Sequence, residues 1–255
     1  MRLNKYPVIL MLGLLGSSVL FGGDTPKPPP FAVGERLEYS LKWSVFSVGR
    51  AYTEIVAFEE RAGNMAWHFA FEARTNAFAD RIFKVRTRID TWVAADLQRT
   101  LHYTERKREG KTRRDIVIEF DHENGTATYS NFGKPREPLE LGELPLLDPL
   151  GAIYHLRARF ADLGSDEAAI RLSVTDGKKQ VPLQLSPVGR ERVRAGGKRW
   201  QALRFEPETG ELGGVFEKSE DARLWIWMST ETGAYPLLVE SEVIVGSFWA
   251  RLQNF

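Results

Sequence analysis

From residue 37 the chain alternates apolar and polar side chains. Leu37, Tyr39, Leu41, Trp43 and Val45 are separated by Glu38, Ser40, Lys42 and Ser44, the pattern of a half-buried strand. Gly49 permits a turn, and residues 50–58 alternate more weakly. Met65, Trp67, Phe69, Phe71 and Ala73 then oppose Ala66, His68, Ala70, Glu72 and Arg74. Across residues 84–94, Val85, Ile89 and Val93 share one face, with Lys84, Arg86, Arg88 and Asp90 on the other. Residues 99–109 and 111–121 flank Gly110 as a hairpin. Asn124-Gly125 predicts a second tight turn, between strands at 115–121 and 126–131.

The alternation stops at residues 133–147, where Pro135, Pro138 and Pro145 predict an irregular loop. Asp148-Pro149 supplies a helix N-cap followed by proline at the first helical position. Leu150, Ile153, Tyr154, Leu156, Arg157 and Phe160 follow at helical spacing, predicting one amphipathic helix over about 148–162. Strands resume at 168–175 and 179–185 around Asp176-Gly177, then at 188–194, 199–206, 222–229 and across 236–252. Many closely spaced strands with one helix predict a mainly β fold: a large curved antiparallel sheet, or half-open β-barrel, with the helix packed against it.

The N-terminus reads differently. Arg2 and Lys5 precede an apolar run from Pro7 to Phe21, followed by Gly22, Gly23 and a Pro-rich stretch. Residues 1–23 therefore read as a secretory signal peptide or N-terminal anchor, residues 24–32 as an extended linker, and residues 33–255 as a single β-rich domain. The expected compartment is the periplasm of a Gram-negative-type bacterium, with or without membrane association. With no cysteine in 255 residues, disulfides, thiolate metal sites and cysteine nucleophiles are excluded. The formal charge of +1 excludes a globally basic binder, but it is unevenly spread. From Arg81 to Arg114 there are eleven Lys/Arg against four Asp/Glu, whereas residues 205–221 hold six acids and only Lys218.

Several stretches in order carry a family resemblance. Phe31-Ala-Val-Gly-Glu35-Arg-Leu-Glu-Tyr39 leads to Trp43 and Gly49, then Lys84-Val-Arg-Thr-Arg88. Asp148-Pro149-Leu-Gly-Ala-Ile-Tyr154-His-Leu-Arg157 follows, then Ile226-Trp227-Met-Ser229, Tyr235-Pro236, and Gly246-Ser247 with Ala250 and Leu252. The set resembles the domain-of-unknown-function 3108 family of exported bacterial envelope proteins, over about residues 31–253. The resemblance implies an exported, strand-rich envelope protein, similar in layout to half-open barrels that carry lipoproteins. It brings no catalytic residues. The chain departs from the family at residues 230–234, where Thr-Glu-Thr-Gly-Ala replaces an often Asp-rich stretch.

Candidate chemistry is sparse. There is no nucleophile elbow, phosphate-binding glycine loop or paired-histidine metal motif. His68, His102, His122 and His155 are scattered, and Glu59/Glu60 and Glu240/Glu242 read as solvated strand residues. The expectation is no catalytic residue, no metal and no cofactor. Two features stand out. Trp43, Trp67, Phe69, Phe71, Tyr154, Trp225 and Trp227 either fill a core or wall a cavity for a hydrophobic chain. Arg86 and Arg88 share one strand face, as do Arg106 and Arg108, and these four are candidate anion contacts. The expected function is non-enzymatic binding or an accessory role in the envelope, with a lipid or other hydrophobic chain held in a sheet–helix cleft. The expected partner is a lipid or an anionic envelope polymer, not nucleic acid. The alternatives are a solid-cored assembly partner that binds an envelope protein and, further off, a glycan hydrolase.

Overall fold

A computed structural model describes residues 28–163, 169–207, 223–231, 233–242 and 247–255. The expected signal segment and residues 24–27 of the linker lie outside the described residues, as does most of the acidic stretch at 205–221. The described chain forms sixteen strands and one α-helix. The strands are β1 (Arg36–Trp43), β2 (Phe46–Arg61), β3 (Asn64–Thr75), β4 (Val85–Ala94), β5 (Thr100–Glu109), β6 (Thr112–Asp121) and β7 (Thr126–Asn131). The two-residue strands β8 (Lys134–Pro135), β9 (Leu139–Glu140) and β10 (Leu146–Leu147) follow, and then helix α1 (Pro149–Leu163). The chain ends with β11 (Ile170–Thr175), β12 (Gln180–Ala195), β13 (Lys198–Pro207), β14 (Arg223–Ser229), β15 (Pro236–Glu242) and β16 (Ser247–Asn254).

All belong to one sheet. Its order runs β10 to β16 and then β1 to β8, with β9 paired to β7. The seam lies between the first and last long strands, where β1 pairs antiparallel with β16. Strand β10 pairs parallel with β11 and also bridges to Arg99, beside the start of β5. The sheet therefore curls far enough for β10, at one end of its order, to reach the start of β5, close to the other end.

Local chemistry explains the turns. The two-residue links Ala62-Gly63, Phe132-Gly133 and Gly196-Gly197 all have positive φ at both positions. Such turns match the twist of the flanking strands. Asn124-Gly125 lies instead in a four-residue loop, where the Asp121 carboxylate accepts from the Asn124 backbone N–H (2.9 Å) and Nδ2 (2.7 Å). The expected strands at 179–185 and 188–194 are one strand, β12, with a bulge at Pro187–Gly189. The expected span 236–252 is two strands, β15 and β16.

Helix α1 is capped as its sequence predicts: Asp148 Oδ1 accepts from the backbone N–H groups of Leu150 (2.9 Å) and Gly151 (3.2 Å). It is not amphipathic in the usual sense. Of residues 150–161 only Arg159 is exposed, because the curled sheet encloses the helix. Tyr154 stacks on Phe69 of β3 (3.7 Å), and Phe160 meets Phe205 of β13 edge-on (5.6 Å). One core cluster therefore joins Ile55, Phe69 and Val93 through the helix to Leu172, Leu203 and Met228. A second cluster gathers Leu37, Tyr39, Trp200, Trp227 and Leu252, and a third Tyr103, Ile118 and Tyr129. Phe31, at the end of the expected linker, is buried against Trp67 and Tyr154.

Candidate functional site

The aromatic candidates do not line a common cavity. Phe69, Tyr154 and Trp227 are buried, while Trp67 and Phe71 pack against the helix-centred cluster. Trp225 packs against the second cluster, and Trp43 stacks on Phe248 at the sheet rim (6.3 Å). At the level of α1 the concave face is filled by side chains.

The basic candidates lie on the outer face, away from α1. Inward-facing residues on β3 and β4 include Phe69, which stacks on Tyr154, and Thr91, whose hydroxyl donates to Asp148 (2.6 Å). Arg74, Arg86 and Arg88 have the opposite parity. Arg86 lies directly across from Arg108, and Arg88 from Arg106. The row through Arg86 is longer than the sequence indicates. Arg50 on β2 opposes Arg74 on β3, Arg74 opposes Arg86, Arg86 opposes Arg108, and Arg108 opposes Arg113 on β6. Five arginines thus stand in register across five adjacent strands, a span of about 19 Å at the usual inter-strand spacing.

Like charges directly opposite one another destabilise a sheet, and this row is only partly neutralised. Asp80 grips Arg86 (Nη2–Oδ2 2.7 Å, Nη1–Oδ1 3.0 Å), and Glu72 pairs with Arg74. Hydrogen bonds from Arg86 and Thr75 hold the Asp80 carboxyl at about 2, below the ordinary range. Arg113 donates to the carbonyls of Gly110 and Thr112. Among the described residues no carboxylate pairs with Arg50, Arg108, Arg113 or Lys84. One row deeper, Asp90 takes Arg88 through two hydrogen bonds (2.8 and 2.7 Å), while Arg106 stands opposite Asp115 on β6. A cleft of about 240 Å³ opens on the row, lined by Lys84, Arg86, Arg108, Gly110 and Arg113. Every side chain lining it is cationic.

The other end of the outer face is different. His68, Trp92, His102 and Glu119 stand in register across β3 to β6. His68 contacts Asp90 (3.1 Å) and His102 contacts Glu119 (2.7 Å). A broad depression of about 760 Å³ beside them mixes Arg61, Arg99, Glu119 and His122. His122 bonds the Thr100 carbonyl and His155 that of Leu97. Among the described residues no three His, Asp or Glu side chains are grouped to hold a metal ion. Glu240 is pushed up by burial and by neighbouring Glu242, while Glu59 accepts from Trp92 Nε1 (2.8 Å).

The strand-by-strand pattern matches residues 38–253 to the family described as a protein of unknown function, DUF3108. The chain belongs to the DUF3108 family. A search of curated proteins finds no match. Among solved structures, this DUF3108 chain is similar to a beta-barrel-like protein of the domain of unknown function DUF1849 from Brucella abortus. The identity is 12% and the TM-score 0.55, covering 88% of this chain and 98% of the other. At that identity the likeness establishes the shared β-barrel-like fold. The arginine row is argued from this DUF3108 chain's own residues.

Proposed function

We propose that this DUF3108 protein is a non-enzymatic binding protein of the bacterial envelope that takes phosphate-bearing anions on its arginine row. The observation that carries the reading is the in-register line Arg50, Arg74, Arg86, Arg108 and Arg113, in which, among the described residues, only Arg74 and Arg86 have carboxylate partners. A partly unpaired row of guanidinium groups is relieved by a ligand with several negative oxygens, which arginine binds in bidentate fashion. The basic, apolar N-terminal segment supports export of the chain to the periplasm. The filled concave face moves the reading away from an acyl chain beside α1 and onto the outer face.

The test is titration of the mature protein with fluorescently labelled polyphosphate at low and high salt. Binding that weakens with salt, and is lost in the double variant Arg108→Glu/Arg113→Glu but kept in Arg192→Glu, is expected. Arg192 is an exposed residue on β12, outside the row. Equal binding by the Arg108/Arg113 variant, or no binding by the parent protein at low salt, overturns the reading.

A further inference from the structure

The arginine row runs beside a second unusual surface. Three connections meet at that end of the sheet: the β1–β2 turn, the β3–β4 link with its short 3-10 turn (Ala79–Arg81), and the β5–β6 turn. The first two present Val45, Phe46, Phe78, Ile82 and Phe83 to solvent, with Val45 82% and Ile82 70% exposed. Together they make up an exposed apolar ridge. Phe46 stacks on Phe78 (6.2 Å), and Asn76 ties the two connections together through Nδ2 to the Ser47 carbonyl (2.7 Å). Phe83 lies over Gly110 in the third connection, so close that a Cβ there would sit 2.5 Å from its ring. Scattered exposed apolar residues need no explanation, but a contiguous patch rimmed by charge marks an interaction site.

The charge around the ridge is mostly positive. Residues 42–50, 74–86 and 106–114 together contain twelve Lys/Arg and two acids, Asp80 and Glu109. Asp80 is taken by Arg86, and Glu109 accepts from Thr87 (2.8 Å). We infer that this end of the sheet docks on the surface of an anionic phospholipid bilayer, with the Val45–Phe46 and Phe78–Phe83 ridge embedded among the headgroups and the arginine row on their phosphates. The inference rests on the anion-binding reading above and names the source of the phosphates. A bilayer fits better than a folded protein for two reasons. The cations face outward as an extended row rather than a closed pocket, matching a plane of repeated phosphates. The apolar side chains project from turns, where they can enter an interface without unpairing strands. Apolar side chains buried at the interface and basic residues beside them combine in this way in peripheral membrane binding. No helix among the described residues is long and apolar enough to cross a membrane.

The test is co-sedimentation of the mature protein with vesicles of phosphatidylcholine alone and of phosphatidylcholine mixed with phosphatidylglycerol in equal parts, alongside the polyphosphate titration. Salt-sensitive binding to the mixed vesicles only is expected. Combining Val45→Ser, Phe46→Ser and Ile82→Ser should weaken vesicle binding about tenfold or more while leaving polyphosphate binding unchanged. Arg108→Glu/Arg113→Glu should lose both. These side chains are exposed, so an unchanged melting temperature checks that each variant is folded. Polyphosphate binding without vesicle binding overturns the bilayer inference and leaves the anion-binding reading standing, and loss of both in the parent protein overturns both. Vesicle binding undiminished in the serine variant overturns the role of the ridge, and capture of a protein partner by an arginine row that ignores vesicles assigns this end to protein docking instead.

Discussion

Replacing Arg157 with methionine tests what fixes the helix inside the sheet. Arg157 is fully buried, and its Nη1 and Nη2 donate to Glu35 Oε1 (2.5 Å) and Oε2 (3.0 Å). Nη2 also donates to the Gly233 carbonyl (2.9 Å). One guanidinium thus joins α1 to the segment before β1 and to the β14–β15 turn. Methionine keeps much of the volume but leaves the Glu35 carboxylate and the Gly233 carbonyl without their donor. Breaking one partner of a buried pair costs about 3–5 kcal/mol. The Glu35 side chain keeps 16% of its surface in water, so the lower end applies, about 3 kcal/mol. For a domain of this size that is a melting-temperature loss of about 6–12 °C. Adding Glu35→Gln removes the stranded charge, and the double variant should recover about 2 kcal/mol relative to Arg157→Met alone, since matched removal of a buried pair is often near neutral. Urea unfolding of the four proteins in the cycle gives the coupling. A single-variant loss under about 1 kcal/mol, or purely additive costs, would refute the argument that this pair anchors the helix.

Two further outcomes follow from buried polar groups around the same helix. Asp148→Ala should cost about 3 kcal/mol in chemical unfolding, roughly 1 for the N-cap and the rest for Thr91 and Thr100, whose hydroxyls now donate to Oδ2 (2.6 and 2.7 Å). A cost below about 1 kcal/mol would mean that water or a rotamer change replaces the carboxylate. The second outcome concerns pH: burial lowers the pKa of His155, whose Nδ1–H donates to the Leu97 carbonyl (2.8 Å). Its folded value lies below the unfolded 6.5, so the unfolded chain binds the extra proton first. Its stabilising contribution is complete above the unfolded value and falls as pH drops through it. Melting scans from about pH 7 to pH 5 should show this decline, and His155→Gln should flatten it; parallel slopes would contradict the assignment.

The strands were legible because their alternation is local. Leu37, Tyr39 and Leu41 face inward as their parity requires, and the opposition of Val85, Ile89 and Val93 to Arg86 and Arg88 holds in the sheet. Val45 continues the same alternation in sequence yet lies in the β1–β2 turn, since parity does not tell where a strand ends. The helix cap was readable from Asp148-Pro149, but its enclosure was not. Arg157 falls at the helical spacing of the apolar residues, but its partner is not visible until Glu35, 122 residues away in sequence, is folded against it. The arginine row was half legible for the same reason. Sequence places Arg86 with Arg88 and Arg106 with Arg108 along single strands, whereas the register joins Arg86 to Arg108 and adds Arg50, Arg74 and Arg113 from other strands. The apolar ridge carried a readable signal in Phe78, Ile82 and Phe83, three bulky residues in one short link between strands.

The separation of core and charge also explains how the sheet tolerates the row. Behind the arginines the inward positions are small or polar: Ala51, Ala73, Thr87 and Lys107. The buried side chains Phe69 and Val93, which pack with Tyr154 of α1, lie further along the same strands, toward the helix. The strands are thus fixed by packing at one end and carry uncompensated charge at the other, where Asp80 and Thr75 hold Arg86 and the link to β4 in place. Under the anion-binding proposal, stability lost to like-charge opposition at that end would be regained on binding. An interior filled at the level of α1 is therefore compatible with the proposed binding role: it braces the curled sheet from within and leaves the outer face and its exposed rim free for the proposed ligand.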